Sequence, residues 1–314
     1  MMIKCAALFV LVGSASAFHT PVARVNTPKT ALAVSYLDQL SQGGAIAADP
    51  SSVSAPVPAV SVAPVTIENV PAGLAHASID YFSLDKLVGK GARTTADWGT
   101  PADASRKLAD DGMLRSGSWY CSEGGWPSPN PKAHTEVFYV LEGHGMLGDA
   151  DGAKHYFGPG DTVTIPKGHT GRWDVYSPIH KVWAVNAHDR IEETSTPIRV
   201  QVDHYHEFGP EKLTSNVGGY DPLYRSESFN ISYNTFYDVG PTKVGVWTAG
   251  VGSISVQNAP KSFFHLLEGT LYVNNDVTGE AKRCVAGDTV MLPESWCGHI
   301  DVIEPVKKLY TVVE

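Results

Sequence analysis

Thr135-Glu-Val-Phe-Tyr-Val-Leu-Glu-Gly143, then Gly158-Pro-Gly-Asp-Thr-Val-Thr-Ile-Pro-Lys-Gly168, then Trp173-Asp-Val175 and Lys181-Val-Trp183 decide the fold of this chain. Each piece is a short run of β-branched and aromatic residues closed by Gly, Pro or Asp, the pattern of strands joined by tight turns. The same order returns about 127 residues later: Leu266-Leu-Glu-Gly269, Ala286-Gly-Asp-Thr-Val290 and Lys308-Leu-Tyr310. A self-similar period of that length predicts one all-β barrel built twice. The Gly160-Asp161 and Gly287-Asp288 pairs read as turn chemistry between strands.

Working outward, the first barrel is expected over 112–187 and the second over 229–314. A connector over 188–228 is too long for a plain turn and should carry strands of its own. Upstream, residues 67–111 read as an irregular N-terminal arm on the first barrel, weakly helical around Ser105–Asp110. Residues 45–66 are an Ala/Pro/Ser linker with Pro50, Pro56, Pro58 and Pro64. Met1 to Ala17 has a basic start at Lys4, a short apolar run and a small-residue end, the pattern of a cleavable signal peptide. Residues 18–44 begin with Phe18 at the cut and contain Arg24, Lys29 and no acid before Asp38, so they read as a transit-peptide-like segment. This presequence resembles the bipartite leaders of algae whose plastids came by secondary endosymbiosis. It implies delivery to a plastid (chloroplast); secretion is the alternative. Presequence and linker are expected to be disordered.

The chain has 314 residues, 43% of them hydrophobic, which suffices for two real cores. A net charge of -9 without a long basic run argues against nucleic acid or an anionic membrane as partner, and no membrane association is expected after processing. Beyond Cys5 in the leader, Cys121, Cys284 and Cys297 are scattered and odd in number, which favours free thiols in a reducing compartment.

Two segments, Gly124–Gly143 and Gly160–Val175, resemble the cupin motifs. The spacing is kept as Gly124, Asn130-Pro131-Lys132, Glu136, Gly143, and as Gly160, Pro166-Lys167-Gly168, Gly171, Val175. The resemblance implies two tandem cupin barrels of the jelly-roll, double-stranded β-helix type. The Gly171-Arg-Trp-Asp-Val175 ending is most similar to the subfamily named for (S)-ureidoglycine aminohydrolases. Asn130 and Lys132 stand where that motif has two histidines, Gly171 where it has a third, and Glu136 alone matches. In the second barrel the four positions are Val256, Asn258, Ser262 and Gly298, so that barrel reads as degenerate.

Two readings of the first barrel follow. On an unbroken strand Lys132, His134, Glu136 and Phe138 share a face, and His169 shares the parity of Gly171. His134, Glu136 and His169 would then form a displaced two-histidine, one-carboxylate set for one divalent metal, Mn, Fe or Zn. That set would serve a metal-dependent hydrolase acting on a small ureido or carboxylate compound, with Lys132 orienting the anion or donating a proton beside Glu136. In the other reading Glu136 pairs with Lys132, no metal is bound, and the barrel holds a small polar metabolite. Trp119, Phe138, Trp173 and Arg172 are the expected ligand contacts in either case. His204-Tyr205-His206-Glu207 is a second suggestive cluster, in the connector. Sheet edges leave a homodimer open.

Overall fold

The computed structural model describes residues 74–187, 198–204, 213–217 and 230–313. The segments expected to be signal peptide, transit-peptide-like leader and linker lie outside these residues, as do Tyr205, His206 and Glu207.

In chain order the strands are β1 (Ala75–Ala77), β2 (Val88–Ala92), β3 (Trp98–Gly99), β4 (Ala102–Asp110), β5 (Leu114–Cys121), β6 (Gly124–Ser128), β7 (Thr135–Asp149), β8 (Lys154–Phe157), β9 (Asp161–Ile165), β10 (Gly171–Asn186) and β11 (Gln201–His204). They continue as β12 (Thr214–Val217), β13 (Asn230–Val239), β14 (Thr242–Ala249), β15 (Gly252–Ala259), β16 (Lys261–Asn275), β17 (Ala281–Val285), β18 (Thr289–Leu292) and β19 (Trp296–Val313). Two short 3-10 turns, Ile79–Phe82 and Leu84–Lys86, interrupt the strands. Ser105–Asp110, expected as weakly helical, lies in β4 instead. There Ser105 pairs with Trp119 and Asp110 with Arg115, so ladder bonds to β5 override the local helical preference.

Two antiparallel sheets repeat one plan. The first runs β11-β9-β7-β10-β5-β4-β2, with β6 on β10 and β8 on β7. The second runs β1-β18-β16-β19-β14-β13-β12, with β15 on β19 and β17 on β16. The all-β, twice-built architecture is therefore as the repeat predicts. The first sheet reaches back to Val88, so the upstream segment is part of the barrel wall.

The Leu-Glu-Gly signature has a mechanical cause. Both long hairpins carry register shifts where β7 meets β10 and β16 meets β19. Gly143 and Gly269 sit there at φ 84° and 80°, and a Cβ would stand 2.0 Å from the Pro178 carbonyl oxygen and 2.1 Å from that of Pro305. Only glycine tolerates both constraints.

Edge strands are exchanged between the halves. β1 precedes the first barrel but pairs with β18 of the second, and β11 precedes the second but pairs with β9 of the first. β9, covered on one side by β7 and on the other by β11, is buried at every position, which its Asp-Thr-Val-Thr-Ile sequence allows. Between the halves, Leu114, Ala184, Phe263, Met291 and Val313 form one apolar cluster. Asn186 Nδ2 donates to Thr242 Oγ1 at 3.2 Å and Thr311 Oγ1 at 3.1 Å.

Candidate functional site

The first barrel contains a cavity of about 330 Å³. Its walls are largely indole, and most of its polar groups are charged, Ser105 and Ser128 being the neutral ones. Trp119 on β5, Trp126 on β6, and Trp173 and Trp183 on β10 line it together with Lys90, Arg93, Lys132, Glu136 and Lys181. Trp126 stacks on Trp173 with centroids 5.9 Å apart and planes 11° apart, and Phe138 stacks on the same indole at 5.7 Å. Arg93 lies over Trp126 at 4.1 Å and pairs with Asp103.

At the floor sits Lys181, 3% exposed. Its Nζ donates to Glu136 Oε1 at 2.7 Å and lies 3.7 Å from the centre of the Phe138 ring, with Trp119 and Trp173 each at 4.7 Å. An ammonium boxed by three ring faces and one carboxylate regains part of the solvation it lost. Lys132 donates to the other oxygen, Glu136 Oε2. Burial would raise the Glu136 carboxyl, but the two neighbouring ammonium groups outweigh it and hold it well below the usual carboxylate range. Burial pushes Lys181 down to about 8, since it shares its one carboxylate with Lys132.

The expected metal set does not assemble. β7 begins only at Thr135, so Lys132 and His134 precede it in a loop, and His134 is not among the cavity-lining residues. His169 is buried against a different carboxylate: its Nε2 lies 2.9 Å from Asp149 Oδ1, and His155 meets the other oxygen at 2.7 Å. Burial lowers the His169 imidazole against the pull of Asp149. Both Glu136 oxygens are already engaged by ammonium groups. The motif positions fit a metal no better. Asn130 is exposed in the loop before β7. A Cβ on Gly171 would meet the Gly148 carbonyl oxygen at 1.8 Å, and one on Gly298 the Asn274 oxygen at 2.1 Å, so no ligating side chain can stand at either place without moving backbone. Val256 and Ser262 are buried in the second core.

Of the expected ligand contacts, Trp119 and Trp173 line the cavity. Phe138 is buried beneath Lys181. Arg172 is not part of the cavity; its guanidinium bonds Asp174 at 2.6 and 2.7 Å and Asp97 at 3.0 and 3.2 Å, and these carboxylates raise it further above its ordinary value. Alternation along β10 explains this, because its neighbour Trp173 faces the cavity and 172 therefore faces out. Lys181, Lys90 and Arg93 were not expected at the site. For Lys181 a signal existed, the return of Lys181-Val-Trp183 as Lys308-Leu-Tyr310.

Among the described residues one group of potential ligands does converge: atoms of His76, Cys284 and Asp288 lie within 4.8 Å of one another, in the second half. Cys121, Cys284 and Cys297 are free thiols.

The EutQ-like cupin domain model matches residues 108–183 and again 238–310. Among solved structures, a Pseudomonas syringae protein of unknown function is similar at 16% identity and TM-score 0.57, covering 78% of this chain and all of the other. A putative glyoxylate-induced protein from Pseudomonas aeruginosa is similar at 14% identity and TM-score 0.56, covering 79% and 92%. Protein Ylba from E. coli follows at 10% identity and TM-score 0.52, covering 77% and 90%. No curated protein matches in sequence. Identities this low speak to fold alone: both halves carry the cupin fold, in tandem.

Proposed function

We propose that this tandem cupin chain binds a small, planar carboxylate in its first barrel, with the Lys181 ammonium supplying the positive charge at the floor. The carrying observation is the pairing of a buried Lys181 with a single shared carboxylate, inside a tryptophan-walled cavity that also presents Lys90 and Lys132. Positive charge exceeds negative charge on the lining, which selects an anion. Indole faces select a flat one, and about 330 Å³ limits it to a small metabolite. Glu136 keeps Lys181 protonated and oriented, and Lys132, half-exposed, can turn toward an incoming carboxylate without leaving Glu136 bare. The metal-dependent ureidoglycine-type hydrolase is the weaker reading, because its ligand positions hold Asn130, Lys132 and Gly171.

Tryptophan fluorescence titrated with a panel of small mono- and dicarboxylates tests this. A saturable change is expected for at least one member, weakened roughly ten- to a hundredfold in Lys181→Met, in line with the loss of a charged hydrogen bond. A panel without response, or an affinity indifferent to Lys181→Met and Trp126→Ala, would refute the reading. Plastid delivery belongs to the same proposal. A fluorescent reporter behind residues 1–66 should enter the plastid of an alga with a secondary plastid; appearance in the medium would favour secretion.

A further inference from the structure

The two Gly-Asp turns share one task and differ in another. In the first half Asp161 Oδ2 accepts the Gly158 N–H at 2.8 Å, and Oδ1 meets His204 Nδ1 of β11 at 2.5 Å. In the second half Asp288 Oδ2 accepts the Val285 N–H at 3.1 Å and meets His76 Nε2 of β1 at 3.0 Å. Each exchanged strand thus brings a histidine to the turn aspartate of the barrel it joins. This much is a structural clasp common to both.

The difference lies just before the turn. Phe157 at the end of β8 packs edge-on to Phe138 at 5.6 Å and to Trp173 at 6.0 Å. Its counterpart in the repeat, 127 positions on, is Cys284 on β17. There a thiol replaces a ring, fully buried beside Asp288, which is 3% exposed. The free oxygen of that aspartate, Oδ1, is buried without a hydrogen-bond partner. Such an atom is costly in a native protein and calls for a ligand. His76, at 19% side-chain exposure, leaves the cluster open to solvent on one side.

We propose that His76, Cys284 and Asp288 form a site for one thiophilic divalent transition cation, of the zinc kind, at the seam where β1 joins the second barrel. Imidazole, thiolate and carboxylate are the three donor types that zinc accepts in proteins, and three protein ligands leave a fourth position for water. Binding exchanges the thiol proton for the cation and releases that proton to solvent, with no change of oxidation state. The bound cation would tie β1 to a barrel from which it is distant in sequence. None of these residues occupies a cupin motif position, and the site is independent of the anion pocket in the first barrel.

Cobalt(II), a spectroscopic stand-in for zinc, tests the site in the full-length protein. One equivalent should produce thiolate-to-cobalt charge-transfer absorption. That absorption should be lost in Cys284→Ser and weakened in His76→Ala, yet kept in Cys297→Ser and in His204→Ala, which breaks the matching clasp of the first barrel. Absence of the band in the wild type, or its survival in Cys284→Ser, would overturn the proposal. X-ray absorption at the zinc edge of the zinc-loaded wild type needs no variant: one sulfur in the coordination shell supports the site, and a shell of nitrogen and oxygen alone refutes it.

Discussion

The floors of the two barrels differ in a single carboxylate and the rings around it. Lys181 and Lys308 are register equivalents: Lys181 pairs with Val140 and Glu136 with Val185 in one half, Lys308 with Leu266 and Ser262 with Val312 in the other. Both amines are buried over aromatic rings, Lys308 at 4.5 Å from Trp247 and 4.3 Å from Phe264. Around Lys181, however, stand Glu136 and the Trp126–Trp173 stack, whereas the second half offers Ser262, Ile254 and Ile300 at the matching places. Trp296, the counterpart of His169, packs into that second apolar cluster. Duplication therefore preserved the inner lysine twice. A charged, aromatic-walled pocket accompanies it where the carboxylate remains, and an apolar core where the carboxylate is gone.

The largest effect expected from this contrast is in alkali. Burial pushes the Lys308 ammonium down to about 7, against 10.5 for an open chain. Between those values the unfolded chain keeps its proton and the folded chain has shed it, so stability rises with pH from about 7 to about 10.5. Below 7 the full cost of the buried charge is present. The gain over the whole window is on the order of 5 kcal/mol by linkage. Lys181 contributes with the same sign but only from about 8 upward. Urea unfolding measured from pH 6.5 to 10 should show this rise in wild type and a much shallower one in Lys308→Met. A Lys308→Met profile parallel to wild type would mean that the second floor does not hold a desolvated amine.

Next in size is the loss of the shared carboxylate. Glu136→Ala leaves Lys181 buried with no anion and removes the partner of Lys132, so destabilisation of about 3 kcal/mol or more is expected from urea unfolding at pH 7. Glu136→Gln keeps the shape and should recover only part of it, since a neutral amide solvates an ammonium less well. A cost below about 1 kcal/mol for Glu136→Ala would show that the ring faces alone sustain Lys181, and the two barrels would then be equivalent at the floor.

How much of this was legible beforehand follows from what fixes each feature. Turns and strand order were readable because Gly143 and Gly269 are required by backbone geometry, and such requirements leave the same residue at the same place in both copies. The site was only half readable. Glu136, Lys132, Trp119 and Trp173 do meet at the cavity, but His134, Glu136 and His169 do not converge, because His169 answers to Asp149, a residue whose pairing depends on a sheet register that no local pattern encodes. Arg172, an expected ligand contact, alternates with the cavity-lining Trp173 on β10 and therefore faces out. Lys90 and Arg93 come from a segment whose polar, glycine-containing sequence gives no strand signal, yet β2 pairs with β4 and becomes cavity wall. The exchange of β1 into the second barrel was equally silent, since three residues carry too little pattern to reveal a partner more than two hundred positions away.

The smallest expected effect is also the most discriminating. Ser262 stands where Glu136 stands, fully buried, with its hydroxyl oxygen making no hydrogen bond. A buried hydroxyl without a partner carries a desolvation cost, whereas its removal leaves a void no larger than one oxygen. Ser262→Ala should therefore be neutral or stabilising by roughly 0.5 to 1 kcal/mol, opposite in sign to Glu136→Ala. The two substitutions delete the polar atoms of equivalent side chains on equivalent strands, so fold and backbone effects largely cancel between them. Thermal unfolding of both variants at one pH suffices. If Ser262→Ala instead costs 1 kcal/mol or more, the hydroxyl is solvating Lys308 as Glu136 solvates Lys181, and the second barrel has kept a polar floor in weakened form.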